Sequence, residues 1–319
     1  MIDWLEPALR FVQYVLLLGL FGWSAFRVVG LRAATWVPEG SGRTTAILAA
    51  ALAPVVSTML MLAAISAMMG QPLAALDASM IQAMTLSTDM GWAFMVRTAL
   101  LLAGLVAIFL ARKVTGSTAA AFCFGAALMT LGWSGHAAAT EGALGSLHRI
   151  SNGVHLLAAG LWLGAIGWFL HLTIEAHREP GHVSAMPLLT IMHRFAPLGV
   201  ALVATVAATG LLNAQLIFGL ENSPVTLTTT YGLLLAVKIA AVAAMLAFGA
   251  HNARLSRQMV SANVAADPTE DAASAEDIEP IEAAALPALR RSLTMELSLA
   301  LVVIGLVAVF GMLSPMLMT

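Results

Sequence analysis

The chain has 319 residues, 60% of them hydrophobic and only 10% charged, with a mean hydropathy of +0.90. A water-soluble globular protein carries about 25% charge, so that class is excluded and the chain reads as an integral membrane protein. A formal net charge of -2 with a sequence pI near 6.4 excludes a basic nucleic-acid binder, and a single cysteine, Cys123, excludes a disulfide framework.

Long unbroken stretches of Ala, Leu, Met and Val predict an all-α bundle, because a membrane barrel would show short alternating segments. Runs of about 20 apolar residues, enough to cross about 30 Å of hydrocarbon, give eight spans near 8–30, 43–69, 91–112, 117–138, 149–174, 192–219, 230–256 and 290–316. Span one is preceded by Asp3 and Glu6 instead of a basic region, and no small-residue cleavage site follows it, so it is expected to stay as a permanent helix. Arg27, Arg32 and Arg43 fall between spans one and two, Arg112 and Lys113 between three and four, Arg178 and Arg194 between five and six, and Arg254, Arg257, Arg290 and Arg291 around the last connection. The alternate connections hold little beyond Arg10 and Arg149, so the positive-inside rule predicts both termini outside, which is the periplasm if the host is a Gram-negative bacterium. Residues 258–289 carry seven acidic side chains and no basic one, and are expected to form a solvated cytoplasmic linker.

Two parts of the chain echo one another. Thr88-Asp-Met-Gly91 is followed six residues later by Arg97, and Thr229-Thr-Tyr-Gly232 six residues later by Lys238, an offset of 141 residues. The same offset lays His155 on Tyr14 and Gly160 on Gly19. The expected organisation is two four-helix halves, 1–140 and 149–319. Each holds an even number of spans, so they share one orientation about an axis along the membrane normal, with a site at their interface.

Polar groups inside apolar helices are costly and need a reason. Arg97, Lys238, His155 and Tyr14 lie at comparable depth and mark one polar layer in the outer third of the membrane; for the two cations, snorkelling toward headgroups is the competing reading. His136, His148 and His155 all fall on the outer side, and a neutral imidazole ligates copper, zinc or haem iron. His155, nearly two turns inside its helix, is the strongest of the three. Half of the 18 methionines, among them Met68, Met69, Met80, Met84, Met90 and Met312, also fall in the outer parts of their spans or the outer loop, where soft thioethers would select Cu(I). His177 and His182 read as solvated loop residues. No HExxH, GxSxG or Walker motif appears, so an enzyme is not expected.

The order Arg194-Phe-Ala, Thr209-Gly210-Leu-Leu-Asn213-Ala, Thr229-Thr-Tyr231-Gly232 with Lys238, and Gly249-Ala-His251-Asn252-Ala-Arg254 resembles the copper resistance protein D domain of bacterial inner-membrane proteins, and His155 with Trp162-Leu-Gly164 fits the same pattern. The resemblance covers 149–316 closely and the first half only through its span count and the Gly91/Arg97 echo. Ala165 and the spacing of His251-Asn252-Ala-Arg254 depart from it. It implies a polytopic inner-membrane protein of copper handling, sometimes beside a periplasmic copper-binding partner. The expected function is therefore copper transport or delivery, with Met68, Met69, Met84 and Met90 capturing Cu(I) and His155, His136 and His148 holding it. The alternative is a haem b electron-transfer protein using His136 and His155 outside and His171 and His251 inside as axial pairs.

Overall fold

A computed structural model describes residues 4–110, 114–133, 142–178, 185–265 and 273–313. Ten helices follow one another among the described residues: α1 Leu5–Val29, α2 Arg43–Met69, α3 Ala78–Ser87, α4 Asp89–Leu110, α5 Val114–Met129, α6 Gly142–Arg178, α7 Ala185–Phe218, α8 Ser223–Thr226, α9 Thr230–Ala265 and α10 Ala273–Phe310. Eight of them are long and apolar enough to cross a membrane, and all but α3 and α8 coincide with the eight expected spans. Their outward faces are apolar: Leu48, Leu52 and Val55 on α2, Phe122 on α5 and Val200 on α7 are all exposed, a surface that suits lipid tails and not water.

Local signals set the helix ends. Gly70 ends α2 at φ 63, and the Gly70 and Gln71 amides donate back to Ala67 and Ser66 carbonyls, an end that only a residue free to adopt left-handed backbone makes cheaply. Asp77 starts α3 by accepting the Met80 amide at 2.8 Å. Thr88 Oγ1 accepts the Gly91 amide at 3.0 Å and Thr229 Oγ1 accepts the Gly232 amide at 3.1 Å, so α4 and α9 begin with the same three-residue cap. Both glycines are required by the same crowding. A Cβ on Gly91 would sit 2.2 Å from the Thr85 carbonyl oxygen, and one on Gly232 2.0 Å from that of Thr226.

The helices pack as two rings. In one, α1 contacts α2, α2 contacts α4, α4 contacts α5 and α5 returns to α1; in the other, α6, α7, α9 and α10 repeat that order. The seam is α1 against α6, flanked by α1 on α10 and by α5 on α6. It is tight because glycines face each other: a Cβ on Gly164 would lie 2.1 Å from the Gly22 carbonyl oxygen, and one on Gly22 2.0 Å from that of Gly160. One turn further, Trp23 and Trp168 stack with ring centroids 3.8 Å apart, and the Trp168 indole donates to the Trp23 carbonyl at 2.9 Å. One buried cluster, including Leu17, Leu101, Phe124 and Leu128, fills the first ring, and a second, including Phe26, Trp168, Leu188 and Leu293, fills the other.

The basic residues that set the predicted orientation also hold structure. Arg27 donates to the carbonyls of Pro38, Glu39 and Ser41, pinning the turn after α1, while Arg43 donates to Ile108 and Phe109 at the carbonyl end of α4. The stretch 258–289 differs from expectation. Helix α9 continues to Ala265 and α10 starts at Ala273, so only a short connection separates them. Like charge discourages burial, but Ala and Glu are among the best helix formers and acidic residues suit the first turn of α10, so the segment extends two helices without needing a core. All four helices of the second ring are long, with 37, 34, 36 and 38 residues against 25, 27, 22 and 16 in the first.

Candidate functional site

Helix α6 places His148, Asn152, His155 and Trp162 at helical spacing, and all four line one cavity of about 260 Å³ at the end predicted to face outward. Arg10 and Tyr14 of α1, Gly210 and Asn213 of α7, and Tyr231 and Lys238 of α9 complete its polar wall. Apolar Val303, Ile304 and Val307 of α10 close the remaining side. Three members of the predicted polar layer, Tyr14, His155 and Lys238, therefore meet on one cavity. The fourth, Arg97, is 6% exposed and does not snorkel. Its guanidinium donates to Thr130 Oγ1 at 2.8 Å and to the Thr130 carbonyl at 3.4 Å, and Thr130 Oγ1 in turn donates to Ala127. Turning inward satisfies a fork of donors that lipid would leave unpaired.

The hydrogen bonds around His155 fix its tautomer. Nδ1 lies 3.0 Å from Thr209 Oγ1, and that hydroxyl already gives its proton to the Thr205 carbonyl at 2.6 Å. Thr209 can then only accept, so Nδ1 carries the ring proton and Nε2 keeps its lone pair. This is the arrangement in which a second residue prepares an imidazole as a ligand or proton acceptor. Gly210 leaves room beside the ring, since a Cβ there would lie 3.5 Å from His155 Cε1. Asn213 Oδ1 is buried without a hydrogen-bond partner among the described residues, which leaves an acceptor available in the same wall.

The other predicted residues divide. His148 is 2% exposed and lines the cavity. It lies seven residues from His155, roughly 10 Å along the helix axis at 1.5 Å per residue, too far for both to hold one ion. His136 lies outside the described residues. Met68 and Met69 are exposed at the end of α2, and Met84 and Met90 are half-buried on α3 and at the start of α4. None of the four lines the cavity, because they belong to the first ring while the cavity is walled mainly by the second. Met312 follows Gly311, which does line it. Among the described residues no three His, Cys, Asp or Glu side chains gather as a metal cage. The inner histidine pair of the haem reading is not assembled either: His171 Nε2 lies 2.6 Å from Ser41 Oγ and 3.1 Å from Glu175, and His251 is exposed.

Glu296 is a residue that the sequence reading misses. It is 2% exposed in the middle of α10, accepts from Asn252 Nδ2 at 3.3 Å, and faces a second cavity lined also by Trp162 and Met192. A lone acid inside an apolar run scarcely changes hydropathy, but the rule that an intramembrane carboxylate needs a partner would have found it.

These features define a polytopic helical membrane protein with a polar, histidine-bearing cavity walled mainly by its second helix ring and closed on one side by α1. Residues 1–146 match the family model described as copper resistance protein D-like, N-terminal domain, and residues 189–310 match that of copper resistance protein D. The chain is 30% identical over 322 residues to copper resistance protein D of Pseudomonas syringae pv. tomato, covering 98% of this chain and 97% of that protein. It is also 32% identical over 121 residues to inner membrane protein YebZ of Escherichia coli (strain K12), covering 37% and 38% of the two chains. The chain belongs to the copper resistance protein D family. No solved structure matches it.

Proposed function

We propose that this chain conducts copper, as Cu(I), from the outer face of a bacterial inner membrane into the histidine cavity and onward, and that it is a transporter and not an enzyme. The observation that carries the reading is the hydrogen bond from His155 Nδ1 to Thr209, which leaves the Nε2 lone pair for a soft ion. His148 and His155 are successive stations on one helix face. Lys238 shares the cavity and opposes lasting residence of a cation there, as conduction requires binding weak enough to release. The exposed thioethers of Met68 and Met69, with Met84 and Met90 nearby in sequence, collect Cu(I) at the outer surface, supplied by a periplasmic copper-binding protein. Both termini are periplasmic in this scheme, and the two rings are repeats related by rotation about the membrane normal; the matching caps at Thr88/Gly91 and Thr229/Gly232 support that relation.

The test is initial-rate uptake of Cu(I), kept reduced with ascorbate, into proteoliposomes. His155→Ala is expected to lower the rate at least about tenfold, the equivalent of about 1.4 kcal/mol in the binding or transfer step. Thr209→Val frees the other tautomer and is expected to lower it by a smaller factor. Unchanged uptake by a well-folded His155→Ala protein overturns the reading.

A further inference from the structure

The cavity beside Glu296, about 140 Å³, lies along the same helices toward their opposite ends, and Trp162 lines both it and the histidine cavity. Glu296 is 2% exposed and lies six residues, roughly 9 Å at 1.5 Å per residue, beyond Arg290, where the predicted span begins. Besides Asn252, the Trp162 indole stands on the same cavity near enough to its carboxyl to offer it a donor. No Lys, Arg, His or second carboxylate lines this cavity from α6, α7, α9 or α10, and α1, which also packs on α10, contributes no residue to it. Two neutral donors do not balance a full negative charge on a carboxyl so fully buried in an apolar bundle, so it must hold either a proton or a cation.

A second observation points the same way. Asn252 is 4% exposed, and while its amide nitrogen serves Glu296 its Oδ1 has no partner among the described residues. That oxygen can accept a hydrogen bond from the O–H of a neutral Glu296 once the amide turns, or face a cation held by the ionised carboxylate. Met192 adds a soft donor to the same wall.

We propose that Glu296 and Asn252 form an exchange site at which a copper monocation and a proton replace one another. The carboxyl loses its proton as the ion arrives and regains one as the ion leaves, with no change of oxidation state. Movement of each ion through this point is thereby tied to movement of one proton in the opposite sense. The proposal rests on copper transport as the function of the chain, and its test separates the two.

The full chain in lipid nanodiscs is followed by infrared difference spectroscopy while Cu(I) is added in ascorbate, with a pH indicator reading proton release. The wild type is expected to show the C=O stretch of a protonated carboxyl, to lose it on adding copper, and to release one proton per ion bound. Glu296→Gln is expected to lack both the band and the release, and Glu296→Asp to keep both with weaker copper affinity. A band that survives in Glu296→Gln, or copper binding by the wild type without proton release, overturns the exchange site. If wild-type liposomes carry no copper while the infrared response stands, copper transport falls and the exchange site remains.

Discussion

The glycine seam between α1 and α6 makes a quantitative demand. In Gly164→Ala the new methyl would lie 2.1 Å from the Gly22 carbonyl oxygen, where ordinary contact begins at 3.4 Å. The obstacle is backbone, which no rotamer change can move aside, so α1 must retreat by more than about 1 Å. The retreat separates the Trp23–Trp168 stack, now 3.8 Å between centroids, and stretches the 2.9 Å bond from the Trp168 indole to the Trp23 carbonyl. Loss of the stack costs about 0.5–1.5 kcal/mol, the interhelical hydrogen bond about 0.6 kcal/mol, and the residual overpacking about 1–3 kcal/mol. Alanine returns about 0.5–1 kcal/mol through its better helix propensity. The expected net destabilisation is about 1–4.5 kcal/mol by these same increments. Gly167→Ala is the control, because a Cβ there meets nothing within 4 Å, and it should be neutral or slightly stabilising. Unfolding by dodecyl sulfate in mixed micelles, followed by tryptophan fluorescence, measures both. Equal midpoints for Gly164→Ala and Gly167→Ala would show that the seam is not close-packed.

Two further outcomes are expected, beside those for His155 and Glu296. The Ser79 hydroxyl and the Met80 amide hold the Asp77 carboxyl below its usual range, so its support of α3 is fully present above about pH 4 and is lost as the pH falls through the lower folded value. Hydrogen exchange of the Met80 amide should accelerate over that acid range in the wild type, and Asp77→Ala should exchange fast at every pH; a pH-independent wild type contradicts the cap. In a Cys123→Ala background, Ala78→Cys should react with an impermeant maleimide from outside intact spheroplasts and Gln258→Cys only after lysis, and the reverse pattern would invert the topology.

Hydropathy locates the eight spans because it reports the solvent a segment prefers, and for the same reason it misplaces the helix ends. Span five reads from 149, whereas α6 starts at Gly142; span eight reads from 290, whereas α10 starts at Ala273. Once nucleated in lipid, a helix continues through polar residues of good propensity, which hydropathy scores as loop. The Tyr14, His155 and Lys238 layer is legible from depth alone, since each is polar at a fixed distance from a span end. The partner of Arg97 is not, because Thr130 is one hydroxyl in an apolar run 33 residues away and becomes a partner only through the packing of α4 on α5. The outer methionines mark a face of the membrane but not a site, since sequence depth says nothing about which ring a helix joins.

The unequal helix lengths of the two rings have a practical consequence for imaging. At 1.5 Å per residue, helices of 36 and 38 residues reach about 54–57 Å, well beyond the roughly 30 Å of hydrocarbon. A 33.2 kDa protein wrapped in detergent offers electron microscopy little to align on, and two similar rings would compound the difficulty by letting particles be assigned in either of two rotated settings. The greater length of α9 and α10 breaks that ambiguity, because it marks one half only and gives each particle a direction by which to be set.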